Sequence, residues 1–317
     1  MKKQRIVRFV KGHMGGNEIV LLLDKEMDEK KALKEALCIL NPPLIRGHQA
    51  GILYKRTDRE LEVKIVDITA RGYIPMCGGL TQVLGKSLLE SDLAEWLELD
   101  LKQIAGGIIL QTEAGPIPLK IVQEKGSIIT YTDMSSYINE CYKKGVEKVE
   151  LNGLVAWKIG NFLVVRGEEI ERNYPDANLE KLNTEGTIKA IKDVQNNFER
   201  TACSDKKNID YAVFDQRSKR RDHYGRIVFP HDVLNGHIEP ACGTGTTAVG
   251  IAVAEEKGIK EGILKLEFES GGLADSIGGP DLTTLEMKLE NSKIIKGSFS
   301  HKGVKLLASG KIFLNDQ

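Results

Sequence analysis

The chain has 317 residues, 41% of them hydrophobic, and its 45 Lys and Arg balance its 45 Asp and Glu. That balance argues against a nucleic-acid or membrane-surface binder, whose basic face would show in the totals. No window approaches the roughly 18 apolar residues of a membrane span. Five dispersed cysteines (38, 77, 141, 203 and 242) without a CxxC pair argue against a disulfide scaffold and against a zinc site. The basic start Met1-Lys2-Lys3 lacks the apolar stretch of a signal peptide. A reduced, cytoplasmic protein with free thiols is expected, with no metal, no nucleic-acid partner and no membrane partner.

In chain order, 5–10 reads as a strand, followed by a Gly-rich loop holding His13, Gly15, Gly16 and Asn17, and then an apolar strand at 19–23. Asp28 can cap a helix over 29–40 with Leu33, Ala36, Leu37 and Leu40 on one face, and Asn41-Pro42-Pro43 stops it. Cys38 flanks that stripe and reads as a core thiol. Residues 51–56 and 61–68 form a hairpin. The turn Gly72–Met76 delivers Cys77 to a helix running to Glu90, and a second helix is expected at 93–104. Three strands follow between 107 and 132, punctuated by Ala114-Gly115-Pro116 and Lys125-Gly126.

After about residue 147 the pattern begins again. Gly153–Lys158 is strand-like, and Gly160-Asn161-Phe162-Leu163 mirrors Gly16-Asn17-Glu18-Ile19. A helix at 186–198 and strands at 209–215 and 225–229 lead to Pro240-Ala241-Cys242-Gly243-Thr244-Gly245. This stretch matches Pro75-Met76-Cys77-Gly78-Gly79-Leu80 without a gap, and Glu90 falls opposite Glu255 at the far ends of the two helices. The helix ends at Lys257-Gly258, and strands at 263–269, 283–289, 293–300 and 303–314 complete the chain. The loop pair is offset by 144 and the cysteine pair by 165, which places an insertion of about twenty residues near 171–186 or 203–224. Two motifs repeated in one order indicate an internal duplication. Halves of 1–147 and 148–302 are expected, with 303–317 returning to the first.

A thiol in the first turn of a helix sits among unsatisfied N–H groups at the positive end of the helix dipole. Both favour the thiolate, a usable base. The same N–H groups can hold a carboxylate, and the glycines allow close approach. Two such turns facing one another would remove a proton from one face of a carbon and deliver one to the other. They would also stabilise the charge that develops between. The scheme requires neither metal nor pyridoxal. Two ordinary core cysteines are the weaker reading, because both copies keep the thiol.

These residues resemble a family. Gly72-Tyr73-Ile74-Pro75-Met76-Cys77-Gly78 is similar to the GYxxMCG segment of proline racemases, and Ala241-Cys242-Gly243-Thr244-Gly245-Thr246 to the CGTG segment they share with diaminopimelate epimerases. Ile159-Gly160-Asn161-Phe162 resembles the GGNFF segment, and His13-Met14-Gly15-Gly16 loosely resembles the N-terminal histidine loop. The resemblance implies an α/β fold of two pseudo-symmetric halves, each wrapping a sheet around a central helix. It implies cofactor-independent proton transfer between Cys77 and Cys242 on an amino acid or small carboxylic acid held in the cleft between the halves. Because the resembling families are often dimers, it extends to a homodimer. Gly78, Gly79, Gly243 and Thr244 are the candidate carboxylate cradle, and Asn17, Asn161, His13 and Glu239 are further candidate substrate contacts.

The chain also departs from the pattern. Gly79 stands where racemases carry His and epimerases Asn, and Ile238, beside Glu239, stands where racemases carry Asp. The Glu-Arg pair by which diaminopimelate epimerase reads its substrate falls on Val233 and Leu234. The thiols and cradle are kept and the substrate readers are not, so neither proline nor diaminopimelate is the expected substrate.

Gly243-Thr244-Gly245-Thr246-Thr247-Ala248 also fits a dinucleotide fingerprint, but His237-Ile238-Glu239-Pro240 is not the apolar strand that motif needs. Arg217-Ser218-Lys219-Arg220-Arg221 reads as a solvated loop, and Gly271-Gly272 and Gly278-Gly279-Pro280 as turns. A racemase or epimerase is the leading reading. A proton-shifting isomerase or hydroxyproline-type dehydratase on the same fold, and a non-catalytic small-acid binder, stand as alternatives.

Overall fold

A computed structural model describes residues 4–23, 29–104, 106–124, 126–151, 153–178, 184–201, 210–215, 225–233, 237–239, 241–270 and 281–315. Several sequence expectations lie outside these residues: the Asp28 cap, Cys203, the basic run at 217–221, Pro240, and the glycine clusters at 271–272 and 278–280. The chain divides into two compact units, Met1–Asp133 with Ser300–Gln317, and Met134–Phe299. Both are mixed α/β.

Unit 1 opens with β1 (Gln4–Met14) and β2 (Asn17–Leu23), paired antiparallel from Arg8↔Leu23 to Met14↔Asn17. The turn is only Gly15-Gly16, at φ +59 and +100, a conformation two consecutive glycines adopt without steric cost. The expected loop is therefore a tight hairpin, and His13 and Asn17 are strand residues. Helix α1 (Glu29–Leu40) buries Ala32, Ala36, Ile39 and Leu40, one position round from the expected stripe. That rotation leaves Leu33 and Leu37 half-buried and turns Cys38 outward, so Cys38 is not a core thiol.

Strands β3 (Gln49–Thr57), β4 (Glu60–Asp67) and β5 (Gly72–Ile74) lead to α2 (Gly78–Glu90). The helix expected at 93–104 is two single turns, α3 (Leu93–Trp96) and α4 (Leu101–Ile104). Glu98 lies between them at φ +55, and the Asp100 carboxylate accepts the Lys102 N–H at 2.9 Å, starting the second turn afresh.

Strands β6 (Ile108–Thr112), β7 (Gly115–Glu124) and β8 (Ser127–Asp133) follow. In β1–β2–β3 the second step is parallel, β3–β4 is antiparallel, β4 pairs β5 antiparallel and β6 parallel, and β6–β7–β8 is antiparallel. The sheet curls round α2, which packs on β1, β2, β3, β7 and β8 and is buried over ten of its residues. A helix enclosed on all sides needs its polar side chains satisfied internally. Thr81 Oγ1 lies 2.7 Å from Thr132 Oγ1, Gln82 Nε2 donates to Thr132 Oγ1 at 2.8 Å, and Ser87 Oγ donates to the Val83 carbonyl at 2.7 Å.

Where β8 crosses α2, a Cβ on Gly85 would lie 2.1 Å from Thr130 Oγ1 and 2.7 Å from its Cγ2. The Thr130 Cβ, which no rotamer moves, is itself only 2.9 Å away, so turning the side chain does not make room. Gly85→Ala is expected to cost about 1–3 kcal/mol by overpacking, read as a lower midpoint in urea with an unchanged slope.

Unit 2 begins with two elements absent from the sequence reading, α5 (Ser135–Lys144) and β9 (Val146–Leu151). Only Ile138 and Cys141 of α5 are buried, too few to show as a stripe. Strands β10 (Leu154–Ile159) and β11 (Phe162–Arg166), helices α6 (Gly167–Asn173) and α7 (Glu185–Thr201), and strands β12 (Asp210–Asp215), β13 (Gly225–Val233) and β14 (His237–Glu239) precede α8 (Gly243–Lys257). After it come β15 (Gly262–Ser270), β16 (Leu282–Glu290) and β17 (Lys293–His301), whose last two residues belong to unit 1. There β18 (Val304–Asn315) pairs antiparallel with β1 from Gln4↔Asn315 to Met14↔Val304 and also packs on α2.

The pairing sense repeats step for step: β10–β11 antiparallel, β11–β12 parallel, β12–β13 antiparallel, β13 with β14 antiparallel and with β15 parallel, and β15–β16 antiparallel. Between β2 and β3 the chain runs through 24–48, and between β11 and β12 through 167–209, an excess of 18 residues. Most of the offset difference between the two repeats therefore sits beside α6, on the earlier side of the expected insertion. The β10–β11 turn is Gly160-Asn161, between the terminal pair Ile159↔Phe162. Gly160 thus corresponds to Gly15 and Asn161 to Gly16. The letter match of Asn17 with Asn161 is one residue out of register.

Candidate active site

Both cysteines are helix N-caps. Cys77 has φ −143 and ψ 114, and its sulfur accepts the Leu80 N–H at 3.3 Å. Cys242 has φ −142 and ψ 125, and its sulfur accepts the Gly245 N–H at 3.4 Å. In each case the sulfur takes the place of a capping oxygen three residues before its donor. The next residues are fixed alike. Thr81 N–H reaches the Cys77 carbonyl at 3.3 Å and Thr246 N–H the Cys242 carbonyl at 2.9 Å. The Thr81 hydroxyl donates to the Gly78 carbonyl at 2.7 Å, while its counterpart Thr246 donates to the Cys242 carbonyl at 2.7 Å and Thr247, one residue on, to the Gly243 carbonyl at 2.9 Å. The N–H groups of Gly78 and Gly79, and of Gly243 and Thr244, are the first of their helices and have no acceptor within them. Each pair can hold an anionic oxygen.

In unit 1 the structure brings Asn17 to Cys77's helix. A Cβ on Gly79 would sit 3.5 Å from Asn17 Nδ2, 3.4 Å from Ile19 Cδ1 and 3.6 Å from Met14 Cε. The polar group above the first turn of α2 therefore comes from β2. Asn17 Oδ1 lies 3.2 Å from His48 Nδ1, and the Glu18 N–H points to the same nitrogen at 3.1 Å. Next to His48, Gln49 presents Oε1 at 3.8 Å from Cys77 Sγ and donates Nε2 to Asp67 Oδ2 at 2.8 Å. The sequence reading missed His48, Gln49 and Asp67. The signal available was a polar His-Gln pair at the head of an apolar strand.

His13 is placed differently. Its Nδ1 accepts the Gly16 N–H at 3.1 Å, and its ring acts electrostatically on buried His301. In unit 2, Thr244 Oγ1 is 3.2 Å from Cys242 Sγ. Asn161 is exposed at the tip of its turn, where its carbonyl accepts the Asp210 N–H at 2.8 Å. Glu239 ends β14 opposite Phe229, two residues before Ala241, and its side chain lies outside the described residues. The strand ahead of Gly243 is thus three residues long and polar, unlike that of a dinucleotide site.

Helix α5 packs on α8 and brings Tyr137 and Cys141 there. Burial holds the Tyr137 phenol well above its ordinary value, with charge on Cys141 and Cys242 adding to it. Burial also pushes the Cys141 thiol up to about 11. Neither residue stood out in the sequence. Among the described residues no cluster of His, Cys, Asp and Glu could hold a metal ion, and no helix is long and apolar enough to cross a membrane.

Sixty-one solved chains are similar in structure. A hydroxyproline epimerase from Agrobacterium vitis, with bound trans-4-hydroxy-L-proline, aligns at TM-score 0.65 and 13% identity over 100% of this chain and 95% of its own. The chain has the racemase and epimerase fold. A PhzF-family phenazine biosynthesis protein from Bacillus anthracis shares it at TM-score 0.61 and 13% identity, covering 98% of this chain and all of the other. A methylitaconate-delta-isomerase shares it at TM-score 0.59 and 10% identity, over 98% and 96%. No family model matches the sequence, and no curated protein matches it.

Proposed function

We propose that this chain is a cofactor-independent amino-acid racemase or epimerase that passes the Cα proton between Cys77 and Cys242. One observation carries the reading: two thiols capping two equivalent helices in the same geometry, within a few degrees in φ. A donated N–H and the positive helix end stabilise a sulfur anion, and one such sulfur takes the proton while the other, protonated, supplies one. The substrate carboxylate is held by the N–H groups of Gly78, Gly79, Gly243 and Thr244, which also bear the charge that builds up on it as Cα loses its proton. Asn17, above Gly79, is the side chain in unit 1 best placed to read the rest of the substrate.

The fold likeness supports a reaction of this class, and the methylitaconate isomerase among the neighbours favours a second reading, a proton shift along a carbon skeleton. Incubation with L- and D-amino acids in heavy water, read by mass spectrometry and chiral chromatography, separates the two. A racemase gains one Cα deuterium as the antipode appears. A panel without exchange, together with a Cys77→Ser protein indistinguishable from the parent, would overturn the proposal.

A further inference from the structure

The two thiols share a backbone setting but differ in their second neighbours. Gln49 and Asp67 stand directly opposite in the β3–β4 ladder. Asp67 is pinned, its Oδ1 accepting the N–H groups of Thr69 and Ala70 at 2.8 Å each and its Oδ2 accepting Gln49 Nε2. Both Asp67 oxygens are engaged as acceptors, so the NH2 end of the Gln49 amide faces Asp67 and its carbonyl faces Cys77. A carbonyl oxygen can receive an S–H proton and has none to give a sulfur anion. Cys77 is also buried, at 8% exposure, which further favours its neutral form.

Among the described residues, Cys242 has a hydroxyl beside it rather than a carbonyl. Thr244 Oγ1 at 3.2 Å can turn its proton onto the sulfur, adding a second donor to the Gly245 N–H. The residue is only half-buried. Thr244 occupies the position that is Gly79 in unit 1, so the cap of Cys77 carries glycine where the cap of Cys242 carries a hydroxyl.

We infer that the resting protein carries its thiolate on Cys242 and its proton on Cys77, and that Gln49 and Thr244 set this order. The inference rests on the proposed two-cysteine reaction for its meaning. The first proton then leaves Cα for the Cys242 sulfur as the Cα–H bond breaks, and the new Cα–H bond takes its proton from Cys77. Cys242 is left as thiol and Cys77 as thiolate. Repeating the reaction on the same isomer requires the Cys242 proton to leave to solvent and Cys77 to be reprotonated. Among the described residues, titratable groups beside the two caps include Asp67 behind Gln49 and His48 beside Asn17 in unit 1, and Tyr137 and Cys141 in unit 2. Burial keeps the last two neutral, so they do not compete for the anion.

The test titrates ultraviolet thiolate absorbance in the parent, Cys77→Ser and Cys242→Ser proteins without substrate, with iodoacetamide labelling and peptide mapping as a second readout. Cys242 should ionise at lower pH than Cys77. Gln49→Leu should lower the Cys77 midpoint and Thr244→Val raise that of Cys242, each by about tenfold in ionisation constant or one pH unit, without moving the other thiol. Should Gln49→Leu not fold, Asp67→Asn serves. Its amide would let Gln49 reverse and give an N–H to Cys77, again lowering that midpoint. Ionisation of Cys77 first, or midpoints that ignore these substitutions, would overturn the inference. Neither readout involves catalysis, so failure here leaves the deuterium-exchange result standing, and the reverse.

Discussion

Serine at position 77 or at position 242 is expected to cut Cα proton exchange by about 10²–10⁴-fold, the usual contribution of a positioned acid or base. The substitution tests chemistry rather than folding. Serine is a strong N-cap, and its oxygen can accept the N–H of Leu80 or Gly245 that the sulfur now takes. Thermal midpoints of both variants should stay close to the parent's. The hydroxyl differs in acidity, so it cannot share a proton with a thiol partner at neutral pH. If the two sulfurs act as one unit, the double variant should be little worse than either single one, because residues of one catalytic device are strongly non-additive. Additive losses would mean that the cysteines act independently and would count against a shared proton path. Cys38→Ser, on the exposed side of α1, should change nothing and serves as the control.

How much of this was legible in the sequence depended on how local the signal was. Both cysteine helices could be read because a Pro-x-Cys-Gly turn and an apolar run announce them within a dozen residues. The strands around α2 showed by alternation and turn residues. The break at Glu98 was hidden, since a left-handed glutamate leaves no compositional trace and the apolar residues on either side continue a helical period. Helix α5 was hidden because it buries only two side chains. Identical letters misled the loop comparison: Asn17 and Asn161 match by name, while the backbone aligns the turn glycines Gly15 and Gly160. The Gln49–Asp67 pair was the least legible part of the candidate site. It exists only through a cross-strand register that puts residue 49 opposite residue 67, and either residue alone looks like an ordinary strand end. A sequence can thus show which atoms do chemistry while hiding the neighbours that set their protonation.

His301 should make unit 1 sensitive to acid. The ring is fully buried beside the first turns of α2, its Nδ1 accepts the Gly303 N–H at 3.0 Å, and its own backbone N–H donates to Gln82 Oε1 at 3.1 Å. Burial, with the His13 charge adding to it, pushes its pKa down to about 3. In the unfolded chain a histidine titrates near 6.5. Between those two values the unfolded state binds a proton that the folded state refuses. The stability from keeping His301 neutral is therefore whole above about pH 6.5 and drains away as pH falls towards 3, at up to ~1.4 kcal/mol per pH unit. Urea unfolding of the parent between pH 7 and pH 4 should show that slope. His301→Asn keeps a side-chain acceptor for Gly303 and removes the titration, so its curve should be flatter by up to one proton even if its stability at pH 7 is lower. An unchanged slope in this variant would assign the acid sensitivity elsewhere. His13 is the first candidate for it, since its Nδ1 is held by Gly16 in the same way and protonating either ring places a positive charge beside the other.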